Sequence, residues 1–201
     1  EARRMDRCTH LGLIAAEEAV ADSNLEASNP NKDRIGVIWG SGIGGLDTFT
    51  EEFGNFFKGG EIPRFNPFFI PKMIADICGG YISMKYGYRG PNYTTVSACA
   101  SSTNAVIDGL MLIRLGKADV IITGGSEAAV SPGGIGGFNS MHALSTRNDD
   151  YATASRPFDQ DRDGFVLGEG AAALVLEEYE HAKARGARIY AELVGGGLSA
   201  D

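Results

Sequence analysis

An α/β fold is predicted by two features of the sequence: short β-branched runs alternate with segments of helical periodicity, and glycine clusters stand where strand gives way to helix. Glycine fills 28 of 201 positions without a collagen-like period. Against an average of roughly 7%, that density signals tight turns and close approaches of backbone to backbone.

The elements follow in order. Leu11, Ile14, Ala15, Ala19 and Val20 recur at helical spacing over residues 9–23, and the turn formers Asn29, Pro30 and Asn31 end the pattern. Residues 34–39 read as a strand running into GSGIGG at 40–45, and residues 46–57 as a helix, giving a first βα unit. A loop rich in Gly, Pro and Phe spans 59–71, and helical periodicity returns over 73–86. Residues 93–98 predict a strand, 101–115 a helix and 119–123 an apolar strand ending at Gly124 and Gly125, a parallel, right-handed βαβ unit. Residues 133–162 are rich in turn formers. Residues 165–177 read as a long strand or hairpin arm, 178–185 as a helix and 189–194 as a further strand. With no repeat or linker, residues 1–201 form a single domain, and the missing closing turn suggests that the sequence is cut inside it.

Composition excludes several classes. A 43% hydrophobic content supports a sizeable core. No run reaches the roughly 18 apolar residues of a membrane helix, and the first residues, EARRMDRCTH, lack a signal-peptide layout. A soluble cytoplasmic protein is expected, with no membrane partner. A net charge of -8 argues against general nucleic-acid binding. Cys8, Cys78 and Cys99 lie far apart with no CxxC pair, which supports neither a disulfide framework nor a zinc site.

The strongest constellation is VSACASSTNAVIDGL. Cys99 falls between a strand and the following helix, at the carboxyl end where α/β sheets gather ligands. The positive end of the helix dipole favours thiolate over thiol there, and a soft thiolate suits thioester exchange. Small neighbours leave room for a substrate carbonyl, and the Cys99 amide is a candidate arm of an oxyanion hole. The competing reading is a small buried hydrophobe.

Other motifs carry weaker signals. GSGIGG satisfies the dinucleotide-binding pattern, but Glu61, the nearest acid at the required distance, falls in the Gly/Pro loop, so a tight βα turn is the better account. DQDRDG imitates a calcium loop, yet the twelfth position holds Gly170 and Glu169 comes one place early. A polar turn held by Arg156 and Arg162 fits better. His10, His142 and His181 are scattered: His10 starts or faces a helix, His142 borders a turn-rich segment, and His181 reads as solvated.

VSACASS, GSGIGG, NPFFIPKMI, GGSEAA, ALSTRND, SRPFDQDRDGFVLGEGAAALVLEE and EYEHAKARGA together resemble the elongating β-ketoacyl-acyl carrier protein synthases over essentially the whole chain. The resemblance implies a thiolase-like fold, of which this chain would hold most of the N-terminal half and the start of the C-terminal half. It implies a homodimer without cofactor, whose substrates ride on the phosphopantetheine of acyl carrier protein. Cys99 would carry the acyl chain as a thioester for condensation with decarboxylating malonyl-acyl carrier protein. The acyl pocket would be lined by Ile43, Ala98, Gly134 and Phe138, with Phe69 contributed across the dimer. Arg3, Arg4 and Arg64 match positions that dock the acidic carrier, while His142 stands where relatives often have another arginine.

The family's first strand, catalytic histidines, network lysine and Gly-rich Phe loop are expected outside this chain. Alone it should therefore fold poorly and not complete condensation. A polyketide ketosynthase and a non-catalytic chain-length subunit are the alternatives, and Cys99 argues against the latter.

Overall fold

The sheet is organised around a strand with no solvent-facing side. In the computed structural model, which describes residues 2–200, β1 (Ile35–Gly40) is buried at all six positions. It pairs in parallel with β2 (Asn92–Thr95) and with β3 (Val120–Ala128). Running antiparallel to β3, β4 (Glu169–Glu177) completes the order β2-β1-β3-β4. The uninterrupted apolar runs of β1 and early β3 are what a strand covered on both faces requires.

The two faces are separate cores. Ala16 and Val20 of α1 (Arg7–Ser23) and Cys78 and Ile82 of α4 (Ile77–Tyr86) pack on Val37, Trp39, Val120 and Ile122. Against the other face, Ala105 of α5 (Ser101–Arg114) meets Ile38 and Ile121. Successive residues of β1 and β3 thus serve opposite cores, as the two-residue period of a strand dictates. Each fully buried Ile or Val contributes about 1.5–3 kcal/mol through removal from water.

The remaining helices are α2 (Leu46–Lys58), α3 (Phe69–Met73), α6 (Pro132–Ser140) and α7 (Tyr179–Ala184). Buried Asp6 caps α1 by accepting from the Cys8 amide at 3.2 Å. Its other oxygen takes the Thr48 amide at 3.2 Å and hydroxyl at 2.5 Å, tying the start of α1 to the first turn of α2.

Several elements differ from the sequence expectation, beginning with the strands expected over 93–98 and 165–177, of which the first ends at Thr95 and the second begins only at Glu169. The helix expected over 73–86 breaks at 74–76, because Ile74 turns extended and the Met73 carbonyl accepts from Gly45 at 3.0 Å. β3 does not stop at Gly124 but continues to Ala128. The turn-rich stretch contains α6, started by Ser131, whose side chain accepts from the Gly134 amide, with Pro132 in the first turn. Residues 189–194 form no strand. They pass helices instead of a sheet edge: Tyr190 donates to Asp22 of α1 at 2.9 Å, and Arg114 of α5 donates to the Val194 carbonyl at 2.7 Å.

His181 is not merely solvated. Its Nδ1 lies 2.6 Å from Glu177 Oε1, and Arg185 grips the same carboxylate through Nε at 2.7 Å and Nη2 at 2.6 Å. Arg185 also donates to the Ser23 carbonyl at 2.9 Å, fastening the end of α1 to β4 and α7. Among the described residues no helix is long and apolar enough to cross a membrane.

Candidate active site

The three parallel strands release their chains on one side of the sheet, into loops 41–45, 96–100 and 129–131. Cys99 is exposed in the second, just before the first turn of α5. The turn that carries it is strained and well tied. Ala98 has φ of 50°, a left-handed conformation that costs a residue with a Cβ roughly 1–2 kcal/mol. Ser101 offsets that cost from below: its hydroxyl accepts from the Ser97 amide at 2.9 Å and donates to the Ala98 carbonyl at 2.7 Å. Asn104 donates to the Ser97 hydroxyl at 2.7 Å, and the Thr95 hydroxyl donates to the Ser101 carbonyl at 2.7 Å.

Helix α5 starts directly on the sheet. A Cβ at Gly40 would lie 2.5 Å from the Ser102 amide nitrogen, and one at Gly125 would lie 2.0 Å from Ser102 Oγ. Only glycine permits this approach, and the approach is what delivers residue 99 to the strand ends.

The other cysteines are of a different kind. Cys8 and Cys78 are buried, and burial pushes each thiol up to about 12. Cys78 Sγ lies 4.0 Å from the Ser126 hydroxyl, which in turn accepts from Trp39 Nε1 at 3.0 Å. Both are core side chains; of the three thiols, only that of Cys99 faces solvent.

The glycine-rich loop after β1 is already occupied. The Glu127 carboxylate, from the end of β3, accepts from the Gly42 and Ile43 amides at 2.7 and 3.1 Å through Oε2. Through Oε1 it accepts from the Gly44 amide at 3.3 Å and the Ser41 hydroxyl at 3.4 Å. A nest of amides that a dinucleotide phosphate would need therefore holds the protein's own anion. DQDRDG is likewise a polar turn. Asp163 accepts from the Ser145 hydroxyl at 2.6 Å and the Thr146 amide at 2.9 Å, while Arg156 and Arg162 donate to the carbonyls of Asp161 and Asp159, both at 2.6 Å.

The residues expected to line an acyl pocket fall into three places. Ile43 is 41% exposed in the loop beside the Cys99 turn, where a Cβ on Gly42 would lie 3.2 Å from the Ala98 carbonyl oxygen. Gly134 is buried against α2, its would-be Cβ 2.0 Å from the Ala129 carbonyl and 3.5 Å from Leu46. Phe138 stands edge-on to Phe165 at 5.2 Å. Phe69, only 8% exposed, stacks on Phe65 at 5.3 Å and meets Phe53 at 6.1 Å within an aromatic cluster of this same chain. Among the basic candidates, Arg4 lies over the Phe68 ring at 4.7 Å, so it meets the loop that carries Arg64, while Arg3 and Arg64 are exposed. His142 is exposed too, with φ of 54°.

Sequence reasoning missed Glu127 and Ser101. Ser101 carried a weak signal, a small polar residue at a helix start. Glu127 stood inside the GGSEAA motif, but its role was hidden because its partners lie more than 80 positions away.

Comparison with known proteins gives a consistent result. Residues 1–182 match the family described as beta-ketoacyl synthase, N-terminal domain. The chain is 49% identical over all of its 201 residues to the 3-oxoacyl-[acyl-carrier-protein] synthase 2 of Staphylococcus aureus strain N315, covering 48% of that protein. The ishigamide ketosynthase/chain length factor superposes with a TM-score of 0.85 at 30% identity, over 96% of this chain and 46% of that one. A type II polyketide ketosynthase, in complex with its acyl-carrier protein and bound to the hexaketide, superposes with a TM-score of 0.74 at 25% identity, over 92% of this chain and 51% of that one. The chain spans about half the length of these relatives.

Proposed function

The chain belongs to the β-ketoacyl synthase family of condensing enzymes, with a thiolase-like fold, and from this we propose that its full-length protein extends an acyl chain held as a thioester on Cys99. The observation that carries the reading is the exposed Cys99 on a strained, multiply tied turn at the strand ends, beside two cysteines that are buried in the core.

The chemistry follows from that placement. The Cys99 thiolate attacks the carbonyl of an acyl group on the phosphopantetheine of acyl carrier protein and expels the carrier thiol. The backbone amide of Cys99 serves as one arm of the oxyanion hole. Decarboxylation of a malonyl group on a second carrier supplies a carbanion equivalent. It attacks the Cys99 thioester, forms the carbon–carbon bond and releases the thiolate. This second step needs an acid and a base, which are not assigned to residues of this chain. Ile43, Ala98, Gly134 and Phe138 line the acyl pocket of a homodimer, and Arg3, Arg4 and Arg64 receive the acidic carrier. No cofactor takes part.

Fatty-acid elongation is supported by the 49% identity to the S. aureus synthase. The second reading, polyketide extension on the same fold, is supported by the superpositions on the two ketosynthases. Incubation of the full-length protein with an acyl-acyl carrier protein, followed by intact mass spectrometry, tests the shared chemistry. An acyl adduct that vanishes in Cys99→Ala is expected, and an adduct that survives the substitution overturns the assignment. The products formed over repeated malonyl additions then separate the two readings: reducible single-step β-ketoacyl products for the first, uncyclised poly-β-ketones for the second.

A further inference from the structure

The geometry points to Glu127 as a positioning residue that holds loop 41–44 against the Cys99 turn and thereby sets where the acyl tail runs. This rests on the proposed acylation of Cys99.

Three consecutive amides in the glycine-rich loop turn inward, and such nests seek an anion. Here the anion is built in. Both oxygens of Glu127 are engaged, with four donors from Ser41, Gly42, Ile43 and Gly44. Charge-assisted bonds of this kind are about twice as strong as neutral ones. Gly44 adopts φ of 75°, and its amide is shared with the Ser41 hydroxyl at 3.2 Å, so the loop has few ways to relax while the carboxylate is present.

The loop also approaches the turn that carries Cys99. A Cβ on Gly42 would sit 2.9 Å from Glu127 Oε2 and 3.2 Å from the Ala98 oxygen, so the carboxylate and the Cys99 turn close together on the space that any side chain at Gly42 would need. Ile43, next in sequence, is the partly exposed apolar side chain at this point. Its position is set by the grip on the amides either side of it. Glu127 touches no reacting atom in this arrangement. It acts through Ile43 and Ala98.

Two measurements on the full-length protein test the role. Glu127→Gln keeps the reach of the side chain but turns one acceptor into an NH2 group facing N–H donors. Hydrogen–deuterium exchange at amides 42–44 is expected to quicken at least about tenfold. Acylation of Cys99 by a long-chain acyl carrier substrate is expected to slow about tenfold, and by a two-carbon acyl substrate less than about threefold. Unchanged exchange, or equal slowing with both substrates, overturns the proposal. If the wild-type protein gains no acyl adduct, the functional reading fails and takes the specificity role with it, while the exchange arm separately decides whether Glu127 orders the loop. Should the Gln variant fail to fold, Glu127→Asp, which keeps the charge but shortens the reach, carries the test: faster exchange at amides 42–44 supports the role, and wild-type rates there overturn it.

Discussion

Ser101 stands beneath the Ala98 carbonyl with its hydroxyl committed in both directions, donating to that carbonyl at 2.7 Å and accepting from the Ser97 amide at 2.9 Å. The side chain is buried, so water cannot replace either bond. In Ser101→Ala the Ser97 amide loses its acceptor, which costs about 1–3 kcal/mol, and the turn is freed to leave its left-handed conformation. Acylation of Cys99 should slow about tenfold in a mass-spectrometric time course. Wild-type acylation by this variant would show that the turn does not depend on Ser101.

Ala98 gives the complementary test, because its φ of 50° suits glycine and penalises a branched side chain. Ala98→Gly should match or exceed the wild-type thermal midpoint. Ala98→Val should lose about 2 kcal/mol, since a β-branched residue is poorly tolerated there. A valine variant as stable as the wild type would mean that the turn relaxes at no cost.

The three thiols should separate cleanly by reactivity. Burial pushes Cys8 and Cys78 up to about 12, so near pH 8 only about one in ten thousand of either is thiolate, and neither is open to solvent. Brief treatment with iodoacetamide at pH 8, followed by peptide mapping, should label Cys99 alone. Labelling of Cys78 at a comparable rate would contradict the buried core.

Glu177 provides a dependence on acid. Burial alone would raise its carboxyl, but the bonds from Arg185 and His181 outweigh that and hold it below the usual carboxylate range. The folded protein therefore keeps this group ionised to lower pH than the unfolded chain does. Its contribution to stability is complete above an unfolded value of about 4.3 and drains away as pH falls through the lower folded value. Thermal midpoints of the full-length protein between pH 6 and 3 should fall, and Glu177→Gln should flatten that fall below pH 5. Arg185→Met, which strands the carboxylate, should cost about 3 kcal/mol at neutral pH. Identical acid profiles for the wild type and Glu177→Gln would remove Glu177 from the account.

Much of the frame is written in local periodicity. β1, α2 and α5 form within a residue of the bounds their patterns predict, because each has a clear apolar face and a glycine or proline stop. Helix α6 escaped notice because its glycines hide the helical period, although Ser131 and Pro132 announce its start. The extended run at 189–194 has strand composition but no strand beside it, and composition cannot supply a partner. Cys99 was legible because it stands between strand and helix. What holds the neighbouring loop was not, since Glu127 reaches its amides only once β1 and β3 lie side by side.

Gly40 and Gly125, where the sheet receives the start of α5, bear on how such a protein can be altered. The location of Cys99 is fixed by atoms that are absent, and no larger residue can be fitted into a contact that leaves 2.5 Å or less for a Cβ. A mutational library aimed at new acyl substrates should therefore tolerate broad variation at Ile43 or Phe138 and almost none at these two positions. Functional variants would be found away from these two glycines, over a seat that must stay bare.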